Sequence, residues 1–141
     1  MQESLDHHDI ALVQHSLAML RRDLPPGDTR FYDRLFRRNP EMRPMFRDDI
    51  AGQGMRFVTT LGVITDALTT PAVFDREITR LAEGHAAMGV GARQFAPMGD
   101  ALLDTFHDVL GPRFTPETRA AWERAFALIA AEMISRGDMA R

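Results

Sequence analysis

Three polar side chains fall on helical stripes that are otherwise apolar, and these are the positions where the chain could do chemistry. His85 lies in the series Phe74, Ile78, Leu81, His85, Met88, whose steps of four, three, four and three residues follow an α-helix. An imidazole on that face points into a core, near the end of its helix and just before Gly89 and Gly91. A buried imidazole needs a partner for each ring nitrogen. One nitrogen can reach a carbonyl one turn earlier, that of Leu81, and the other could bind a metal. On spacing alone, a core histidine satisfied by its surroundings is the plainer account. Gln53 heads a second stripe, Gln53, Phe57, Leu61, Ile64, Leu68, where a first-turn glutamine reaching solvent explains it equally well. Tyr32 stands beside Phe31 and one turn before Leu35 and Phe36, where a tyrosine can pack and make a single hydrogen bond. Together, an inward His, Gln and Tyr on separate helices describe an apolar pocket with polar groups on two sides.

Composition removes several competitors. The chain has no cysteine, which excludes disulfides, iron–sulfur clusters, thiolate ligation, Cys nucleophiles and covalent CxxCH haem attachment. Of 141 residues, 45% are hydrophobic and 26% charged, an ordinary globular balance. Seventeen Lys and Arg against 20 Asp and Glu give a net charge of −3, so no basic surface for nucleic acid is implied. The start, MQESLDHHDIALVQHS, has neither a basic n-region nor an apolar h-region. No run approaches the roughly 18 apolar residues of a membrane span. A soluble, cytoplasmic protein with no membrane partner is expected.

The elements that must position these residues are helices. Strand alternation and hairpin dipeptides are missing, whereas helical periodicity recurs. Ile10, Val13, Leu17 and Leu20 mark the first helix, which Leu24-Pro25-Pro26-Gly27 breaks. A second should run from Thr29 to Arg38, burying Phe31, Tyr32, Leu35 and Phe36. Asn39-Pro40, Thr70-Pro71 and Thr115-Pro116 each set a capping side chain before a proline at the first helical position. They predict a short helix to about Phe46, one to about Met88, and a last one to about Arg136. Gly52–Leu68 and Arg93–Leu110 complete the set, the latter with Met98, Leu102, Phe106 and Val109 on one face. The expectation is one all-α domain of about seven helices.

Three stretches carry a family resemblance. The first is Phe31-Tyr32-Asp33-Arg34-Leu35-Phe36 followed by Asn39-Pro40-Glu41-Met42-Arg43-Pro44-Met45-Phe46. The second is Gly84-His85-Ala86-Ala87-Met88-Gly89-Val90, and the third runs from Ala121-Trp122 to Ala130. In this order and at these separations the chain resembles the bacterial single-domain haemoglobins and the globin module of flavohaemoglobins, over about residues 10–135.

The resemblance implies a globin fold holding non-covalent haem b. It makes residues 1–141 a single globin domain, with 1–8 as an N-terminal extension and 137–141 as a tail. His85 matches the proximal ligand to iron, and Phe46 the phenylalanine that stacks on the haem. Tyr32 and Gln53 match distal residues that can donate hydrogen bonds to bound O2. Phe57 stands where the family usually has leucine and would crowd that side. Arg56, with Arg93 second, is the candidate for the haem propionates, though exposed solvated arginines are the plainer account. Met55 is a remote candidate for a second axial ligand. His7, His8, His15 and His107 read as surface or partly buried residues.

One departure bears on chemistry. Flavohaemoglobin-type globins back the proximal histidine with a tyrosine and a glutamate; here those positions read Phe95 and Gly137. Neither side chain can hydrogen-bond, so His85 should rely on a backbone carbonyl. The resemblance therefore implies reversible binding of O2, and of NO and CO, for transport, storage or sensing. The alternative is NO dioxygenation to nitrate. No GxGxxG dinucleotide motif occurs in the chain, so turnover would need a reductase in trans. A haem-free helical sensor or scaffold is a third reading, disfavoured by the inward His85.

Overall fold

The computed structural model describes residues 5–25, 28–46, 50–87 and 91–138, and in the third stretch the side chains of residues 57–86. Among the described residues there are six α-helices: α1 (His7–Asp23), α2 (Arg30–Arg38), α3 (Ile50–Asp66), α4 (Pro71–Ala87), α5 (Phe95–Leu110) and α6 (Pro116–Gly137). A six-residue 3₁₀ segment, Pro40–Met45, follows α2, and three single 3₁₀ turns sit between later helices. Among the described residues there is no strand, and no helix is long and apolar enough to cross a membrane.

The ends of the helices follow local chemistry, with corrections at three of them. Asp6 caps α1 by accepting the Asp9 amide at 2.7 Å, so the helix takes in His7 and His8 from the expected extension. Thr115 caps α6 as expected, accepting the Thr118 amide at 3.1 Å ahead of Pro116. Asn39 does not cap: its side chain makes no such bond, and the segment after it is 3₁₀ rather than α. The reason is that Pro40 and Pro44 offer no amide hydrogens, so an α-helical ladder would lose a bond at Pro44. The shorter bonds Met42 N to Asn39 O and Phe46 N to Arg43 O close the turn instead. The helix expected from Arg93 likewise begins only at Phe95, after the 3₁₀ turn Ala92–Gln94. There the Gln94 side chain folds back to accept the Gly91 amide at 2.7 Å. The α3 ladder stops at Asp66, and the tight turn Ala67–Thr69 carries the chain to α4. Gly111, at φ +56°, lets the chain leave α5 in a conformation that an L side chain rarely adopts.

Packing is dominated by three helix pairs: α4 on α6, α2 on α5 and α1 on α6. Trp122 of α6 is fully buried between them, its ring 5.0 Å from Phe106 and its Nε1 donating to Ser16 Oγ at 2.7 Å. That bond removes the penalty of an orphaned indole N–H at the centre of the molecule. Gly99 permits α5 and α6 to close, since a Cβ there would lie 2.9 Å from the Phe126 ring. The apolar interior falls into two clusters. The larger gathers α1, α2, α5 and part of α6; the smaller gathers Ile64, Ile78, Ala82, Ile129 and Met133 around α4 and the end of α6.

Candidate functional site

On the α2 side the expected site residues form one aromatic assembly. Tyr32 is 3% exposed, with its ring edge-on to Phe31 at 4.9 Å and to Phe46 at 5.0 Å. Phe57 reaches across from α3 and stacks on Phe31 at 4.3 Å. Phe36 joins Tyr32 at 5.9 Å and Phe46 at 5.5 Å. Such offset and edge-to-face pairs each add about 1 kcal/mol beyond the area they bury. Arg43 holds the corner: its guanidinium lies 5.5 Å over the Phe36 ring, and Nη1 donates to the Phe46 carbonyl at 3.2 Å. The outer face of α2 is tied to α5 by two arginines a turn apart. Arg34 forks onto Asp108 at 2.8 and 2.9 Å, and Arg38 Nε donates to Asp104 at 2.9 Å.

His85 lies on α4, half-buried, with Nδ1 2.8 Å from the carbonyl oxygen of Leu81. This is the bond that the helical spacing predicts. A carbonyl can only accept, so Nδ1 carries the hydrogen, and in the neutral ring Nε2 keeps its lone pair. Among the described residues Nε2 has no hydrogen-bond partner. Leu81 and Phe95 both pack against the smaller core cluster, so the side chain at 95 serves as apolar filling. Gly137 is the last residue of α6. Fixed tautomer, free lone pair and apolar surroundings make His85 a Lewis base suited to a single metal bond.

The remaining expected residues divide simply. Gln53, Met55 and Arg56 belong to α3, but their side chains lie outside the described residues. Arg93 is exposed, as are His7, His15 and His107. His8 is also exposed and pairs with Glu117 at 3.1 Å. The structure thus gathers Tyr32, Phe46 and Phe57 in one aromatic assembly, while His85 stands on α4, bonded to Leu81, and Phe95 packs on the smaller core cluster.

The profile of the family described as Globin matches residues 29–133. The chain belongs to the globin family. Among curated proteins this globin is similar to the flavohemoprotein of Bordetella pertussis, 28% identical over 129 residues, covering 89% of this chain and 32% of the relative. The flavohemoprotein of Rhodopirellula baltica is 27% identical over 135 residues, covering 94% of this globin and 33% of the relative. That of Bacillus subtilis is 26% identical over 129 residues, with shares of 89% and 32%. The globin spans about a third of the length of these relatives.

The arginine contacts are what the spacing of apolar residues does not single out. Arg34 and Arg38 stand four apart, as do Asp104 and Asp108, which is a weak sign of facing charge rows. Arg136 has an acid four residues before it, Glu132, but nothing marks its partners on α4, Asp75 and Thr79.

Proposed function

We propose that this globin binds haem b through His85 and uses it to bind O2 reversibly, with NO and CO as further ligands. The observation that carries the reading is the His85 imidazole, with Nδ1 committed to Leu81 and Nε2 left with a lone pair beside apolar side chains. Among the described residues no three His, Asp or Glu side chains converge, so a metal held at His85 would bring its other ligands with it, as a porphyrin does. The residues present therefore fit the group. Haem, when bound, would supply an iron able to take up a diatomic ligand.

Tyr32 and Gln53 are the proposed hydrogen-bond donors to that ligand, in a dry site where a fixed donor counts for more than in water. Phe46 and Phe57 supply flat apolar surface and exclude water. Arg56 and Arg93 are the proposed partners of the propionates. Phe95 and Gly137 put no polar side chain behind His85, so the imidazole gains no added negative character beyond the Leu81 carbonyl. That favours reversible binding, for storage, transport or sensing inside the cell, over oxidative turnover. NO dioxygenation with an external reductase is the competing activity.

Ferric, ferrous and CO-bound absorption spectra, taken beside His85→Ala, test the proposal. A Soret band that shifts with CO in the parent and is lost in the variant is expected. No Soret band after haem reconstitution would overturn it. Sustained NO consumption with a generic reductant would move the assignment to the dioxygenase.

A further inference from the structure

Arg136 sits near the C-terminal end of α6, and its guanidinium reaches across to α4. Nη1 donates to the Asp75 carboxylate, to the Asp75 carbonyl at 3.3 Å and to Thr79 Oγ1 at 2.8 Å. Nε donates to Glu132 Oε2 at 2.9 Å, one turn back on α6, so Glu132 steadies the fork while its other edge meets α4. The Arg136 side chain is 27% exposed and that of Asp75 68%, so the bonds to Thr79 and Glu132 are the partly shielded ones and those to Asp75 face solvent. The hydrogen bonds to Asp75 and Glu132 raise its already high pKa, and the guanidinium stays charged.

The buried centre of the seam that this fork closes is aliphatic, with Phe74 and Phe95 packed against it from outside. Ile78 and Ala82 of α4 meet Ile129 and Met133 of α6. Ala82 offers only a methyl group, and methionine adapts to irregular space, so such contacts fix the distance between helices better than their axial offset. Hydrogen bonds weaken steeply with misalignment and do discriminate offsets. The position of His85 depends on that offset. Its only hydrogen-bond partner among the described residues is Leu81, on the same helix, so the imidazole travels with α4 as a rigid body. Phe95 and Gly137 supply no hydrogen bond to hold the ring independently. Thr79 and His85 are about 9 Å apart along the axis, within one straight helix, so a slip at Thr79 arrives at His85 undiminished.

We propose that Arg136 is a positioning residue for the His85 imidazole, setting the axial and rotational place of α4 on α6 through Asp75 and Thr79. The proposal rests on His85 as the haem ligand. Its test uses the full chain in four variants. Arg136→Met removes the fork and keeps the stem. Arg136→Lys keeps the charge alone. Thr79→Val removes one acceptor and is the mildest. Arg124→Met is the control, cutting the comparable Asp9 bridge from α6 to α1, at 2.6 and 3.0 Å, away from α4.

Two readouts are taken: the iron–histidine stretching band of the five-coordinate ferrous protein, and hydrogen exchange of α4 amides in the haem-free protein. Arg136→Met should shift and broaden the band. It should also speed exchange across α4 about tenfold, with the other helices little changed. Thr79→Val should move both readouts the same way by less, and Arg136→Lys should fall between. Arg124→Met should lower the melting temperature and leave the band in place. An unchanged band in both Arg136→Met and Thr79→Val, or an equal shift in Arg124→Met, would overturn the proposal. If Arg136→Met does not fold, Thr79→Val decides. If the parent takes up no haem, the functional reading falls by itself, and the exchange data judge the clamp. Faster exchange confined to α4 sustains it, and faster exchange spread evenly over all helices refutes it.

Discussion

Around α2, Phe31, Tyr32, Phe36, Phe46 and Phe57 interlock, and two separate arginine forks fasten the helix to α5. Around α4 the buried contacts with α6 are aliphatic, with Phe74 packed against them, and Arg136 is the hub of the directional ones. The first arrangement is redundant, because each ring except Phe57 has two or more ring neighbours and each fork has a second beside it. The second concentrates its specificity in one guanidinium. A helix that carries a packed tyrosine can share its support widely. A helix that must set one imidazole nitrogen, with its hydrogen-bond partner on the same helix, depends on few contacts.

Substitutions can break or sharpen that contrast. The largest effect is expected at His85. His85→Ala should speed haem loss by about 100-fold or more while leaving the helical circular dichroism unchanged, as read by transfer to a haem-scavenging apoprotein. Retention at the parent's rate would mean that another side chain anchors the group.

Next is Phe31→Ala. Phe31 is 6% exposed and touches both Tyr32 and Phe57. Its truncation should cost about 3–4 kcal/mol in urea unfolding, by lost burial plus the cavity left behind. A loss below about 1 kcal/mol would show that the aromatic assembly is not the support of α2.

Tyr32→Phe separates packing from chemistry. The ring contacts survive, so stability should change by about 1 kcal/mol or less, the net worth of one hydrogen bond. O2 release should nonetheless accelerate about tenfold, measured by stopped-flow ligand replacement, since a donor to a partly charged ligand is worth about 1.5–3 kcal/mol. Equal effects on both quantities would sink the distal assignment.

Arg34→Met and Arg38→Met should each cost only about 0.5 kcal/mol, because their side chains are 36% and 52% exposed. Their double variant tests the redundancy directly, and a loss well beyond the sum means that each fork covers for the other.

The smallest effect is an acid one, at the end of α1, where Asp23 pairs with Arg22 beside it and with Arg113 of the turn after α5. Hydrogen bonds from Arg22 and then Arg113 hold the Asp23 carboxyl at about 2, below its ordinary 3.8. A depressed carboxylate adds stability above its unfolded value and loses it as pH falls through the folded one. Unfolding midpoints should therefore drop between about pH 4 and 2. Asp23→Asn should flatten that part of the profile, and an unchanged slope would remove Asp23 from the account.

Much of this was legible along the chain because it depends on local periodicity. The apolar stripe of α1 is buried where its three–four spacing puts it, and Thr115-Pro116 begins α6 with its cap formed. The His85–Leu81 bond also follows from one helical turn. Asn39-Pro40 misled, because a second proline at 44 withdrew the donor that an α-helix there would need.

What the order of residues determined by itself is which faces are apolar, where most helices start and stop, and that one nitrogen of His85 can reach the Leu81 carbonyl; all of these are settled within about four residues of chain. Only the tertiary structure decided that Ser16 satisfies the Trp122 indole from 106 residues away, that Phe57 stacks on Phe31, and that Arg136 grips Asp75 and Thr79. An arginine among the alternating charges of a helix carries no mark of its partner. That partner is chosen by how two helices cross, and the crossing is set by the volumes of buried side chains on both.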